Sequence, residues 1–211
     1  MKTVFIERTA SKRSLKLRKP VFGVGVNDAE YNLRYTIGGI RVSCPFYLRW
    51  VAMLSRCYSE ALKSRVKTYD GCTVCSEWLL FSNFKKWMKA QDWQGKHIDK
   101  DLLVEGNRVY GPEACVFIDA ITNLFIIKSA NSVGPWMTGA CWVAGRSKFI
   151  SSCSNPFTKK RETLGYFDDQ LDAHRAWKAR KHEHSVKLSE KQVDPKAKEA
   201  LLTRFLQRDE S

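Results

Sequence analysis

Two apolar periods alternate along the chain. After Pro45, a favoured first helical residue, Phe46, Trp50, Met53, Leu54, Cys57 and Ala61 recur at the spacing of one helix face. A core helix is therefore expected there, and Trp78, Phe81, Phe84, Trp87 and Met88 predict a second amphipathic helix. Residues 21–26, with Gly23 and Gly25, read as a connector or short strand, and residues 35–43 as a hairpin around Gly38-Gly39. Further on, residues 97–101 alternate polar and apolar and predict a short strand. Gly106, Asn107, Gly111 and Pro112 mark a long turn, the compact apolar run 114–118 a second strand, and a helix from about Asp119 carries Asn123 on its second turn. The small, polar stretch 129–135 predicts a domain boundary. Residues 137–143, 147–154 and 160–164 read as three short strands, with turns at Gly145-Arg146 and Asn155-Pro156. A helix follows with Ala173, Ala176 and Trp177 inward, and Asp194-Pro195 opens a terminal helix whose apolar face is Leu201, Leu202, Phe205 and Leu206. That last helix is expected to dock on the body; oligomeric state is left open.

The fold class expected is α+β, in four parts: a flexible arm at 1–20, a core at 21–130, a sheet-plus-helix module at 135–188 and a helix at 194–208. Charge sharpens this. The 36 Lys+Arg against 22 Asp+Glu leave a net +14, which draws a protein to nucleic acid or to anionic membrane. No apolar run approaches the roughly 20 residues of a membrane span, and no secretory signal is visible. The first twenty residues hold Lys2, Arg8, Lys12, Arg13, Lys16, Arg18 and Lys19 against Glu7 alone. They read as an arm following a phosphate backbone, with Lys12, Arg13, Lys16, Arg18 and Lys19 as DNA contacts. Arg49, Arg56 and Lys63 lie off the core face of their helix and are further phosphate candidates.

Seven cysteines, an odd number in a chain that reads as intracellular, argue against a disulfide framework. Cys72-x-x-Cys75 has the spacing of half a zinc site, but no second pair matches it; buried thiols are the preferred reading over structural Zn2+. His182-x-His184 has the wrong spacing for one helical face, and both residues, with His174, read as surface residues.

The strand–turn–strand–helix order of 97–125 can bring strand carboxylates to a helix amide, a donor set that suits a hard cation. Its residues, I-D-K-D, then G-N-R-V-Y-G-P-E, then C-V-F-I and Asn123, resemble the ββα-metal (HNH) nuclease motif. The likeness is closest to HNH-type endonucleases of tailed phages, including free-standing homing endonucleases, which carry L-D-K-D, G-N-x-x-Y-S-P-E, C-V-F-V-P and a helix Asn. Two positions depart: Lys100 stands where the family has His, and Ala114 where it often has Asn. The resemblance implies a metal-dependent double-stranded-DNA endonuclease in the cytoplasm of an infected bacterium, with duplex DNA rather than a small molecule as substrate. It implies Mg2+ or Mn2+ on Asp99 and Asn123, with Asp101 on the same strand face as a third ligand. Lys100 would clamp phosphate. For the base that activates water, His97 and Tyr110 are both candidates; the plain reading of Tyr110 is a packed turn aromatic.

A second resemblance covers the carboxy-terminal part. L-G-Y-F-D followed by A-x-x-A-W is similar to the ethylene-response-factor (Apetala-type) DNA-binding fold, a three-stranded sheet on one helix whose open sheet face enters the major groove. The contacts it implies are Trp142, Arg146, Lys148, Lys160 and Arg161, although T-G-A-C-W in the first strand lacks the family's Arg. Core packing is an equal alternative for Trp142, and solvated turn positions for Arg146 and Arg161. The rival to the endonuclease is a DNA-binding regulator or host-takeover protein on a decayed HNH core, motivated by Lys100 and Ala114. A nuclease of RNA is a third reading.

Overall fold

A computed structural model describes residues 4–127 and 135–206, and the chain is a mixed α+β protein with small sheets. In chain order the elements are α1 (Lys12–Lys16), β1 (Arg34–Ile37), β2 (Ile40–Ser43), α2 (Pro45–Tyr58), α3 (Glu60–Lys63), β3 (Thr73–Val74), α4 (Phe81–Lys89), β4 (His97–Asp99), β5 (Val109–Tyr110), β6 (Val116–Ile118), α5 (Ala120–Ile126), β7 (Ala140–Val143), β8 (Lys148–Ser154), β9 (Arg161–Phe167), α6 (Gln170–Ser189) and α7 (Pro195–Thr203). Local chemistry sets several boundaries. Gly38 and Gly39, at φ 54° and 76°, supply the left-handed turn that joins β1 to β2. Asp119, Asp169 and Asp194 cap α5, α6 and α7 by accepting backbone N–H bonds. No helix of the described residues is long and apolar enough to cross a membrane.

The chain divides into two compact units, and not at 129–135, most of which lies outside the described residues. Among the described residues the first unit comprises 4–93 and 104–115, and the second 94–103, 116–127 and 135–206. The stretch assigned to one 21–130 core is thus shared between both. The turn between β4 and β6 is also not a plain turn: its residues Val109–Tyr110 form β5, which pairs in parallel with β3 in the first unit.

The first unit is packed on aromatic rings. Trp50 from α2 buries its indole and donates from Nε1 to the Trp78 carbonyl at 2.6 Å; its ring lies 5.4 Å from Phe81 of α4. Gly25 is demanded by this core, because a Cβ there would lie 2.4 Å from Leu54 Cδ1. Residues 4–20, the described part of the expected 1–20 arm, are not the flexible arm that their charge suggests. The Ala10 N–H bonds the Glu30 carbonyl at 2.9 Å, the Asn32 N–H bonds the Arg8 carbonyl at 2.8 Å, and Phe5 stacks on Tyr35. Arg18 donates to the carbonyls of Asn27 (3.2 Å), Ala29 and Tyr31 (2.9 Å). Arg18 therefore anchors the segment, with three of its five N–H donors spent on carbonyls.

The second unit holds two sheets. β4 and β6 pair antiparallel, with His97 opposite Ile118, Ile98 opposite Phe117 and Asp99 opposite Val116. β7, β8 and β9 form a three-stranded antiparallel sheet with α6 packed on one face. Gly139 (φ 86°) lets the chain pass under Trp177, since a Cβ there would fall 2.1 Å from Trp177 Cγ. One hydrophobic cluster joins Leu102, Val116, Ile118, Phe125 and Ile126 to Leu188 of α6 and to Ala197 and Leu201 of α7. The β4–β6–α5 element and the two terminal helices are therefore one packing unit, where the sequence had placed them in three segments. The same packing corrects the histidines: His184 is only 3% exposed, and His182 is half-buried.

Candidate functional site

Asp99 ends β4. Ile98 turns inward and is buried, which puts His97 and Asp99 together on the opposite strand face. Asp99 Oδ1 accepts the N–H of Asp101 at 2.9 Å and that of Leu102 at 2.6 Å. This local turn stops the strand two residues short of the expected 97–101 and fixes the carboxylate. Oδ2 has no hydrogen-bond partner among the described residues. Burial raises the Asp99 carboxyl above the ordinary carboxylate range; the two N–H bonds pull it down, Asp101 pushes it up and Arg204 pulls it down.

Asp101, expected as a third ligand, is engaged elsewhere. The buried Lys100 ammonium donates to both its oxygens, at 2.9 and 2.8 Å. Lys100 is thereby directed at a carboxylate rather than held open for phosphate. Arg204, at the end of α7, donates to the carbonyls of Asp101 (3.1 Å) and Leu102 (3.4 Å) and holds the same turn. α5 packs against β4 and presents Asn123, half-buried, whose side-chain amide has no partner among the described residues. The helix is fixed at its start by Asp119, which accepts from the Thr122 N–H (2.7 Å) and hydroxyl (3.2 Å), while the buried Gln192 amide donates to Thr122 Oγ1 at 3.1 Å. Arg204 and Gln192 carry no signal in the sequence, because each acts on a residue some 70 to 100 positions away.

The two candidate bases differ. His97 is exposed beside Asp99 on β4. Tyr110 belongs to the first unit, is 2% exposed, and its hydroxyl accepts from Arg56 at 3.4 Å. Burial pushes its phenol far up, against the pull of Arg56. Arg56, read as a phosphate candidate, is likewise committed to Tyr110. Among the described residues no three His, Cys, Asp or Glu side chains converge as a metal group. Cys72 is buried, with its thiol directed at the Thr68 carbonyl at 3.9 Å, and Cys75 is half-buried.

No protein-family model, curated protein or solved structure matches the chain.

The register of the three-stranded sheet assigns its faces. Phe149, Ser151 and Cys153 are buried, and the Ser151 hydroxyl donates to the Ala173 carbonyl of α6 at 2.7 Å, so this parity faces the helix. Trp142 pairs directly across from Phe149, their rings 4.9 Å apart, and so stands on the helix side at 40% exposure. It is withdrawn from the open-face contacts. The open face carries Ile150, opposite Tyr166; the Arg146 guanidinium lies 4.5 Å over the Tyr166 ring. Lys148 shares this face and pairs with Asp168 at 3.1 Å, and Arg161 Nε donates to Ser152 Oγ at 2.8 Å. Lys160 is exposed in the turn before β9. In the first unit Lys12, Arg13, Lys16 and Lys19 are exposed.

Proposed function

We propose that the protein is a metal-dependent endonuclease of duplex DNA, of the ββα-metal (HNH) phage type, with a sheet-plus-helix module similar to the ethylene-response-factor fold. The observation that carries this reading is the arrangement around Asp99. It is a half-buried carboxylate on β4 with one oxygen unengaged, and β4 pairs antiparallel with β6, which runs into α5 and Asn123. Asp99 and Asn123 offer oxygen donors only, the preference of magnesium or manganese, and Asp101 is not counted because Lys100 holds it. An ion held there would neutralise phosphate charge and stabilise the departing oxygen. His97, on the Asp99 face and open to solvent, takes the proton from the attacking water. Arg146, Lys148 and Arg161 on the open sheet face meet the duplex, and the net +14 supplies the sequence-independent attraction.

One specific observation favours a second reading, a DNA-binding protein on a decayed core: Lys100 stands in place of the family's histidine and is ion-paired to Asp101. Supercoiled plasmid with magnesium or manganese separates the two. The endonuclease relaxes or linearises it, and Asp99→Ala removes that activity by about a hundredfold or more while the gel shift remains. A wild-type protein that shifts DNA but never cuts it, with either ion, leaves the binding reading.

A further inference from the structure

A polar recess lies in the first unit, and none of the residues assigned above to cleavage lines it. It is a solvent-open cleft of about 390 Å3 between the amino-terminal segment, the 21–25 turn, the start of β1 and one face of α2. That size falls within the range of about 300–1,000 Å3 common to small-ligand clefts. Its nine lining residues include two arginines, Arg18 and Arg34, and no carboxylate. Arg18 is pinned by three backbone carbonyls. Carbonyls fix a guanidinium without neutralising it, and two of its five N–H donors are left over. Arg34 is exposed and has no ion pair or side-chain hydrogen bond among the described residues. Tyr47, Asn32 and Ser14 add neutral hydrogen-bonding groups. The Tyr47 phenol is raised by burial and lowered by Arg34 and Arg18, so both cations act on the same point.

The rim carries the second feature. Phe22 is held at φ 51°, a backbone region that bulky L-residues rarely occupy. The turn that imposes this is closed by the Val21 N–H on the Gly25 carbonyl at 2.8 Å and the Gly25 N–H on the Val21 carbonyl at 2.9 Å. Phe22 lines the cleft while remaining 41% exposed. A fixed cation, a free cation and an aromatic face together suit a group with a charged end and a flat end.

We propose that this cleft is a nucleotide site, taking a phosphate on Arg18 and Arg34 and the attached base against Phe22 and Tyr47. Phosphate accepts charge-assisted hydrogen bonds from guanidinium groups, and a base stacks on an aromatic side chain without regard to sequence. The ligand is either a free mononucleotide or one nucleotide of a nucleic-acid strand. The site lies within the first unit and stands whether or not Asp99 supports cleavage.

The test is calorimetric titration of the full chain carrying Asp99→Ala, in EDTA, so that catalysis plays no part. The probes are inorganic phosphate, dAMP and a short 5′-phosphorylated single-stranded oligonucleotide. Arg34→Ala removes an unpaired exposed side chain, and Phe22→Gly relieves the positive φ, so both variants are expected to fold. The expected result is that dAMP binds more tightly than phosphate. Arg34→Ala weakens dAMP by about tenfold. Phe22→Gly weakens dAMP but leaves inorganic phosphate unchanged. An oligonucleotide that displaces dAMP and binds more tightly identifies a strand as the source; dAMP binding that the oligonucleotide cannot displace identifies the free nucleotide. Absence of dAMP binding at millimolar concentration, or equal dAMP affinity in both variants and the parent, overturns the proposal.

Discussion

The two units solve the packing problem differently. In the first, large rings from neighbouring stretches of chain do the work: Trp50 meets Phe81, Trp78 meets Phe84, and both tryptophans are fully buried. In the second, the core is mostly aliphatic, with Phe125 its one buried ring, and its members come from far apart, with Leu102, Val116 and Ile118 on one side and Leu188, Ala197 and Leu201 on the other. The first core closes loops of about thirty residues and the second closes longer ones, a difference in closure cost of about 1 kcal/mol. The candidate chemistry sits on the second kind. The turn after Asp99 is held by Arg204, just past α7, and the start of α5 by Gln192, between α6 and α7, so the strand–strand–helix element is not self-sufficient.

The strongest way to break this comparison is Trp50→Ala. It removes a fully buried ring and the bond to Trp78 and is expected to cost about 3–5 kcal/mol. Read by hydrogen exchange, protection should fall in α2 and α4 and persist in β8 and α6. Equal loss in both units would show that they unfold as one.

Leu188→Ala sharpens the comparison from the other side. The expected cost is about 2–5 kcal/mol. Although Leu188 lies near the end of α6, protection should fall in β6 and α5 as well as α7, because they share its cluster. Loss confined to α6 would mean that the sheet-plus-helix module stands apart after all, as the expected 135–188 segment supposed.

The smallest effect concerns pH. His184 is buried, with Nε2 facing Glu162 at 3.3 Å, and the charges near it are Glu162 of β9 and Arg180 and Lys187 of α6. Burial lowers its pKa more than Glu162 raises it. The unfolded chain therefore binds the proton first. The stability this group confers is complete above the unfolded value of about 6.5 and declines as pH falls through it. Urea midpoints measured between about pH 7.5 and 5.5 should drop in the wild type. His184→Gln should flatten that drop; parallel curves would assign it to other groups.

Much of the molecule was legible in its pattern. The helix from Pro45, the hairpin at Gly38-Gly39, the short apolar strand before Asp119, the three carboxy-terminal strands and the capped helices after Asp169 and Asp194 all lie close to where spacing and caps put them. Each is specified within a few consecutive residues, because helix and strand periods and cap bonds are local. Which groups would be spent inside the fold was not legible. The charge of residues 1–20 pointed to a free arm, yet Arg18 is taken by carbonyls up to thirteen residues away. Trp142 stood equally as contact or core until the register with Phe149 put it on the helix side, a choice that a one-residue slip would reverse. Tyr110, a candidate base, and Arg56, a phosphate candidate, meet each other across 54 residues. The sequence by itself determined the elements, the positive charge and the order Asp99, turn, strand, Asn123. The tertiary structure decided which carboxylate oxygen stays open, which cations remain unpaired and which unit each candidate belongs to, because burial and pairing depend on partners that the chain brings together only on folding.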